Sequence, residues 1–395
     1  MASTVSTEPQ YQPSDPFGVA AEFNDEESLV QSTVRDYVRE RFLPIVADAY
    51  EKGELPAGIG RELGELGLLG MHLTGYGCAG TSATAYGLAC LELEAGDSGV
   101  RSFVSVQGSL AMFAIWRWGS EQQKQEWLPR MASGEVIGCF GLTEPDAGSD
   151  PGAMNTRARR DGDDWILNGS KMWITNGSRA GVAVVWARTD EGIRGFLVPA
   201  GTKGFSAPDI RGKLSLRAST TSELVLEDVR LPAEAMLPEA TSLRGPLSCL
   251  NEARYGIVWG AVGAARTCFE TALEYAGTRR SFGAPIAARQ IIQQELAEMH
   301  VGVTNGLLIA QRIGRLKDEG RAAPEHISYG KFHNVRMALD VARRARQILG
   351  GYGITLEYPV MRHMTNLESI ITYEGTHQVH TLVLGKALTG IAAFG

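Results

Sequence analysis

The sequence predicts an α+β protein of several domains: a polar tail at 1–24, an α-helical domain at 25–137, a middle antiparallel β-domain at 138–248 and a C-terminal helix bundle at 249–395. Two observations carry this prediction. Apolar residues recur with a helical period in the first and last parts of the chain, whereas the middle part has short apolar runs between Gly, Pro and Asp clusters. With 395 residues, 44% of them hydrophobic, the chain can bury several cores.

Composition and charge exclude several classes of protein. The net charge of −7 shows no basic excess, so we expect no nucleic-acid partner. Five cysteines without a CxxC pair argue against a disulfide framework or a zinc site and suit a reducing compartment. The first 18 residues contain no Lys or Arg, and no run of about 18 apolar residues occurs. We therefore expect a cytoplasmic protein with neither a targeting sequence nor a membrane span.

The helical domain is expected to begin at Asp25, because aspartate is a favourable residue at a helix N-terminus. Apolar residues then recur at helical spacing: Leu29, Val30, Val34, Tyr37 and Val38. Glycine-rich breaks at 75–80 (GYGCAG) and 94–99 (EAGDSG) separate the later helices.

The β-domain is indicated by apolar runs bounded by turn residues. The segment 165–175 (WILNGSKMWIT) predicts two short strands joined at Asn168-Gly169, because both residues accept the positive φ of a tight hairpin turn. Runs at 182–189, 195–200 and 223–231 predict further strands.

The C-terminal region contains four amphipathic segments with short breaks, which predict a helix bundle. Their apolar stripes are Phe269, Leu273 and Ala276; Ile292, Leu296, Met299 and Val303; Val335, Leu339 and Ala342; and Val379, Leu382, Val383 and Ala387.

A candidate ligand loop lies at 139–152 (CFGLTEPDAGSDPG), where the helical period of apolar residues ends and strand-like runs begin. Its glycines and the hydroxyls of Thr143 and Ser149 suit a loop that offers hydrogen bonds to a ligand. The loop is neither a GxGxxG fingerprint nor a Walker loop. The carboxylates of Glu144 and its neighbours would repel a phosphate, so a ligand loop and a purely structural interdomain loop both remain open.

Three further positions also permit two interpretations. The segment 173–175 (Trp-Ile-Thr) belongs either to the core of a strand or to a ligand site. Arg101 is either a solvated or capping residue, or a bidentate clamp for a carboxylate. Arg279 and the pair at 350–351 (Gly-Gly) lie at breaks between helices, where they either serve the helix ends or hold a dinucleotide.

Glu374, in the segment 371–382 (ITYEGTHQVHTL), permits three interpretations. With His377 it forms one E-x-x-H, but di-iron bundles need a second such pair, and the bundle region has none, so no metal is expected. Glu374 is then either a base or an acid in the first turn of a helix, where the helix dipole favours it. His377 and His380 are expected to pack or to form hydrogen bonds.

Five motifs, taken in order, resemble the acyl-CoA dehydrogenase family: CFGLTEPDAGSDP, KMWITNGS, RSFGAPIAARQIIQ, QILGGYGI and TYEGTHQVHTLVLGKALTG. The resemblance covers nearly the whole chain from about residue 25 and is greatest to the glutaryl-CoA dehydrogenases, through DSGVRSFVSVQGSL, GKLSLRAS and CLNEARYGI. It implies an N-terminal α-helical domain, a middle β-domain and a C-terminal four-helix bundle. It also implies FAD, an electron-transfer flavoprotein as electron acceptor, and a homotetramer in which a neighbouring subunit completes the FAD site.

The resemblance also implies roles for individual residues. Glu374 is the catalytic base for the α-proton of an acyl-CoA thioester, whose carbonyl is polarised by the backbone N–H of Glu374 and a flavin ribityl hydroxyl. The FAD-binding residues it implies are Phe140, Gly141, Leu142, Thr143, Gly148, Ser149, Trp173, Ile174, Thr175, Arg279, Phe282, Gln290, Gln347, Ile348, Leu349, Gly350, Gly351, Thr376 and Phe394. The substrate-binding residues it implies are Glu94, Arg101, Ser102, Ser149, Leu247, Asn251, Arg254, Tyr373 and Gly375.

The substrate that the resemblance implies is glutaryl-CoA, because Arg101 and Ser102 match residues that bind the distal carboxylate, and Glu94 matches an acidic partner of that arginine. Dehydrogenation followed by loss of CO2 would give crotonyl-CoA. Two positions depart from the family pattern: Val100 stands where Tyr is frequent, and Gln378 where Asp is typical. Dehydrogenation of another dicarboxylic or short branched acyl-CoA without decarboxylation, an oxidase, and a non-catalytic binding protein are the alternatives.

Overall fold

The computed structural model describes residues 11–393, so the start of the predicted tail and Phe394 lie outside the described residues. The N-terminal helices are α1 (Asp25–Tyr37), α2 (Leu43–Lys52), α3 (Ile59–Glu65), α4 (Ala83–Gly96), α5 (Ser98–Ser105), α6 (Phe113–Trp118) and α7 (Glu121–Ala132). Two π-helical stretches, Val38–Phe42 and Val106–Met112, join α1 to α2 and α5 to α6.

Helix α1 is capped by Asn24, not by Asp25. The Asn24 side chain accepts the N–H of Glu27, and the Glu27 side chain accepts the N–H of Asn24 in return, so Asp25 is the first helical residue. The predicted apolar stripe is correct for the buried Val34 and Val38, but Leu29 is 66% exposed.

The middle region is one seven-stranded sheet within the described residues. Its strands are β1 (Gly138–Gly141), β2 (Arg157–Asp161), β3 (Asp164–Thr175), β4 (Val182–Thr189), β5 (Gly192–Pro199), β6 (Phe205–Ser206) and β7 (Thr221–Leu231). The order along the sheet is β1-β4-β2-β3-β7-β6, with β5 also paired to β4. Most strand pairs are antiparallel, as predicted, but β4 runs parallel to β1 and β2.

The predicted hairpin at Asn168-Gly169 is also wrong. Strand β3 runs straight through this dipeptide and pairs with β7 on both sides of it, with an irregular register between Leu167 and Gly169. Gly169 has φ 143°, and a Cβ there would lie 2.6 Å from the Thr156 hydroxyl, so glycine serves a bulge and a close approach. The tight turn lies instead before β3, at Gly162 (φ 64°).

The C-terminal region consists of α8 (Arg244–Thr278), α9 (Gln290–Asp318), α10 (Pro324–Leu349), α11 (Val360–Ile370) and α12 (His377–Thr389). The four predicted stripes fall on α8, α9, α10 and α12. Helix α11 has no predicted counterpart, although its Val360, Leu367 and Ile370 are buried. A short hairpin of β8 (Arg280–Ser281) and β9 (Ala284–Pro285) joins α8 to α9. The predicted order of helical, sheet and helical regions is confirmed.

Buried charge networks fix the helices that carry the candidate site. Asp97 caps α5 by accepting the N–H of Gly99 at 2.6 Å. Its other carboxylate oxygen accepts from Arg362 at 2.6 Å and from Asn366 at 2.9 Å, both on α11. One buried carboxylate therefore sets the position of α5 relative to α11, and α11 leads directly into the segment that carries Glu374.

Within residues 11–393, no helix combines the length and the hydropathy that crossing a bilayer requires.

Candidate active site

Glu374 lies in a loop, residues 371–376, between α11 and α12; we call this segment the Glu374 loop. Its backbone is left-handed at Glu374 (φ 50°) and again at Gly375 (φ 92°). Helix α12 begins only at His377, where the Thr376 side chain accepts the N–H of Val379 at 3.2 Å. Glu374 is therefore not in the first turn of a helix, and the interpretation as a dipole-stabilised helix acid is wrong.

Two basic side chains hold the carbonyl groups of the Glu374 loop. Arg254 of α8 donates from Nε to the carbonyl oxygen of Glu374 at 2.7 Å. Lys331 of α10 donates to three consecutive carbonyls, those of Tyr373, Glu374 (3.3 Å) and Gly375 (2.6 Å). These contacts give the left-handed loop a fixed shape, since each backbone oxygen is tied to a helix.

The Glu374 carboxyl group has the environment of a base. Its Oε2 is buried and has no hydrogen-bond partner within the part of the chain that the structure describes. Burial raises the pKa of Glu374 above its ordinary value, while the charges of Arg101, Lys331 and Arg254 oppose that rise. Burial makes the carboxylate more basic and the cations favour its ionised form, and proton abstraction from carbon requires both.

Arg101 is buried, so the interpretation as a solvated surface arginine is wrong. Its side chain is 1% exposed and donates from Nε to Oε2 of Glu94 at 2.5 Å. Its Nη2 donates to the hydroxyl of Tyr373 at 2.5 Å, next to Glu374 in the chain. Burial raises the pKa of Tyr373 to about 12. Ser102, the residue after Arg101, is buried as well. Among the described residues, Nη1 of Arg101 makes no hydrogen bond and remains a free donor.

The predicted substrate segment of α8 places one residue at the site directly. Leu247, Asn251 and Arg254 follow one face of α8 at helical spacing, and Arg254 donates a hydrogen bond to the Glu374 loop. Burial lowers the pKa of Arg254, and the carboxylate of Glu374 opposes this effect. Leu247 is exposed, and so is Ser149 of the predicted ligand loop.

The two β-domain segments assigned to the cofactor lie side by side. The N–H of Met172 donates to the carbonyl of Thr143 at 2.8 Å, and Lys171 donates to the carbonyl of Leu142 at 3.1 Å. Lys171 also pairs with Glu144 at 2.7 Å, so the charge of this acid is neutralised within the protein. The Trp173 side chain is 61% exposed at φ 64°, which excludes its interpretation as a core residue. Phe140, Leu142 and Ile174 are buried, whereas Gly148 is exposed.

A cleft of about 580 Å³ brings the predicted cofactor residue Arg279 together with the predicted cofactor segment 348–351. It is lined by Tyr275, Arg279, Ser281, Ile286, Ile348, Leu349, Gly350, Gly351, Tyr352 and Thr355. Gly350 (φ 57°) ends α10, and a Cβ at Gly350 or Gly351 would meet open space, so the backbone here is accessible to a ligand. Gln290 and Gln347 are exposed nearby in the chain, and Phe282 is 96% exposed at the tip of the β8–β9 hairpin.

Sequence reasoning missed Lys331. It lies on the buried stripe of α10, four residues from both Ile327 and Val335, and is only 2% exposed. A lysine in the middle of an apolar stripe is the signal that could have found it, because a buried ammonium group needs acceptors. His380 is also buried, with both ring nitrogens lacking a hydrogen-bond partner among the described residues, and His377 stacks on Phe332 with ring centroids 4.1 Å apart.

Comparison with known proteins assigns the fold. Models of the N-terminal, middle and C-terminal domains of acyl-CoA dehydrogenases match residues 24–135, 139–229 and 244–389.

This chain belongs to the acyl-CoA dehydrogenase family.

Two solved structures and one curated relative illustrate the similarity. A glutaryl-CoA dehydrogenase from Mycobacterium smegmatis is 63% identical, with a TM-score of 0.96 over 98% of this chain and 100% of that one. A second structure of a Mycobacterium smegmatis glutaryl-CoA dehydrogenase, in complex with FADH2, is 59% identical with the same score and coverage. The human mitochondrial short-chain specific acyl-CoA dehydrogenase is 36% identical over 93% of this chain and 91% of its own length.

This acyl-CoA dehydrogenase uses FAD, as its family does. The residues present fit the group: an exposed indole at Trp173 stands beside a loop of hydroxyl and backbone groups. The separate cleft contains Arg279 and an accessible glycine backbone, which suit the half of FAD that carries the phosphates. The enzyme is thus an FAD-dependent oxidoreductase of acyl-CoA thioesters.

Substitution of Gly375 by alanine tests whether the shape of the Glu374 loop controls activity. The new Cβ would lie 2.9 Å from Nε2 of His380 and 3.4 Å from Nη2 of Arg254, at φ 92°, so the loop must shift. A displacement of about 1 Å at a reacting group lowers the rate by about 100-fold. We expect Gly375→Ala to retain FAD and to lose about this factor in flavin reduction by butyryl-CoA, measured by stopped-flow absorbance.

Gly385→Ala is the matched control, because Gly385 lies in α12 and a Cβ there meets nothing within 4 Å. It should reduce its flavin at the wild-type rate. A wild-type rate in Gly375→Ala as well would contradict the role of loop shape.

Proposed function

We propose that this acyl-CoA dehydrogenase converts glutaryl-CoA to crotonyl-CoA and CO2 and passes the electrons to an electron-transfer flavoprotein, in the degradation of lysine and tryptophan. The observation that carries this proposal is the buried guanidinium of Arg101, which contacts Tyr373 immediately beside Glu374. The similarity to a glutaryl-CoA dehydrogenase at 63% identity supports it.

Arg101 supports a dicarboxylic substrate because a buried cation is costly where an apolar acyl chain must bind. Glu94 and Tyr373 use two of the five N–H donors of the guanidinium, so donors remain for a distal carboxylate. A planar guanidinium binds a carboxylate through two parallel hydrogen bonds, which also orients the acyl chain. With the far end of the chain fixed at Arg101, the α-carbon would be held near Glu374.

Glu374 is the proposed base. Its carboxylate would take the α-proton, and the backbone N–H of Glu374 would donate to the thioester carbonyl as negative charge develops there. The oxidant for the hydride that leaves the β-carbon would be supplied by FAD when it is bound. Once the α,β double bond conjugates with the thioester, the carboxylate at the γ-carbon can leave as CO2. Glu374, which carries the proton taken from the α-carbon, would return a proton to the γ-carbon of the resulting dienolate.

The second candidate is a dehydrogenase of short unbranched acyl-CoA. The human short-chain specific relative at 36% identity favours it, as does Val100 in place of the tyrosine that frequently precedes this arginine in the family.

A protein without a flavin spectrum even after addition of FAD would instead favour a non-catalytic role.

We also propose a homotetramer. Large apolar side chains of the C-terminal region lie on the surface of the single chain, among them Phe282, Ile291, Leu388 and Ile391. Apolar side chains of this size are enriched where subunits meet. Light scattering of the FAD-loaded protein should give the mass of four chains, and a stable monomer would contradict this assembly.

The substrate proposal is tested by replacing Arg101 with methionine together with Glu94→Gln, so that no unpaired charge remains buried. We expect this double variant to lose at least about 100-fold in kcat/KM for glutaryl-CoA, because a buried bidentate pair is removed, and to retain activity on butyryl-CoA. Initial rates on both substrates with an artificial electron acceptor provide the measurement.

Glu374→Gln is the control that separates substrate choice from chemistry. It should keep FAD bound and lose activity on both substrates, because the base is absent. Equal losses on the two substrates in the Arg101 variant would contradict the carboxylate clamp, and substantial activity in Glu374→Gln would contradict the base.

A further inference from the structure

Lys331 makes an unusual set of contacts with the Glu374 loop. Its ammonium group lies on the buried face of α10 and reaches the carbonyl oxygens of Tyr373, Glu374 and Gly375. An ammonium group has three N–H donors and no acceptor, so these three oxygens use its whole hydrogen-bonding capacity. The group is consequently occupied, which does not suit a nucleophile or a proton carrier.

The geometry of a peptide bond links Lys331 to the opposite side of the loop. In a planar trans peptide, the C=O of one residue and the N–H of the next point in opposite directions, and the described chain has no cis peptides. The Tyr373 carbonyl points to Lys331, so the N–H of Glu374 points away from Lys331. Within the described residues this N–H donates to no protein acceptor, and it is free to meet a ligand.

Lys331 also offsets the backbone strain of the base. Glu374 has φ 50°, a left-handed conformation that is unfavourable for a residue with a side chain. Such a conformation persists only where surrounding contacts determine it. Three carbonyls tied to one cation, with Arg254 as a second donor to the central one, provide those contacts.

We propose that Lys331 is a positioning residue for the reaction: by holding the Tyr373 carbonyl it aims the N–H of the same peptide at the thioester carbonyl. This inference rests on the proposed dehydrogenation chemistry, but not on the choice of glutaryl-CoA as substrate.

The charges around the two groups agree with this role. Burial lowers the pKa of Lys331 to about 7; the carboxylate of Glu374 opposes this effect, and Arg254 and Arg101 add to it. In return, Lys331 is one of the cations that hold down the pKa of Glu374, which burial raises. The charged and titratable groups that face the pair are Glu94, Arg101, Arg254, Tyr373, His377 and His380.

The direct test is the polarisation of a bound thioester carbonyl, measured by infrared difference spectroscopy with butyryl-CoA carrying 13C at the thioester carbon. Glu374→Gln serves as the background, so that the ligand binds without reacting. A hydrogen bond from the Glu374 position should shift the carbonyl band to lower wavenumber than in solution. Adding Lys331→Met should remove most of that shift, because the peptide is no longer held.

Activity provides the second readout. With Glu374 present, Lys331→Met should lower kcat by about 100-fold, the usual effect of losing one donor to a developing oxyanion, with a much smaller change in KM. In a plot of kcat against pH, the acid limb reflects protonation of Glu374. Activity falls as the pH drops through the pKa of Glu374. Removing the positive charge should move this limb to higher pH.

Lys317→Met is the matched control, because Lys317 is another bundle lysine in an ion pair, with Glu252 at 2.8 Å. It should leave the carbonyl band and the acid limb unchanged. If Lys331→Met fails to fold, Lys331→Gln, which keeps two N–H donors without charge, should show a partial loss of the band shift and the same movement of the limb.

If the carbonyl band kept its full shift and the acid limb stayed at its wild-type pH in these Lys331 variants, the proposal would be overturned, even if the stability of the variants fell. If the wild-type flavin were reduced by neither butyryl-CoA nor glutaryl-CoA, the proposed function itself would fail. That outcome is distinguishable from loss of the effect in the variants alone.

Discussion

The structure depends on one electrostatic constraint: a buried carboxylate, Glu374, lies among three cations that come from three different helices. Arg101 comes from α5, Arg254 from α8 and Lys331 from α10. None of these charges would be stable in isolation, because removing an ion from water costs several kcal/mol even after relaxation. The three helices must therefore meet around Glu374 for these charges to be balanced. The same convergence stabilises the fold and forms the site.

The remaining buried charges maintain this convergence. Asp97 ties the start of α5 to Arg362 and Asn366 on α11, so the helix that carries Arg101 and the helix that precedes Glu374 share one anchor. Glu94 then balances Arg101 locally at 2.5 Å. In the β-domain, Lys171 and Glu144 balance each other's charge in the loop beside Trp173. Each ionic group in this set both neutralises a neighbour and positions a backbone segment.

The helices and strands could be predicted from the sequence where apolar residues recur with a regular local period. Features that depend on tertiary contacts could not be predicted in this way. The stripes of α8 to α10 and the run of β4 follow directly from their apolar spacing. Asn168-Gly169 resembled a turn, but pairing of β3 with β7 on both sides of the dipeptide overrode that preference. The orientation of Lys331, and the left-handed backbone at Glu374, depend on helices far apart in the chain, so no local pattern contains them.

The most direct test of the account is to mix the FAD-loaded enzyme with glutaryl-CoA in the absence of oxygen, follow the flavin absorbance, and determine the mass of the product. The account predicts that the flavin is bleached and that crotonyl-CoA appears with one CO2 for each flavin reduced. A flavin that is bleached by butyryl-CoA but left oxidised by glutaryl-CoA would contradict it, because Arg101 would then not act as a carboxylate clamp.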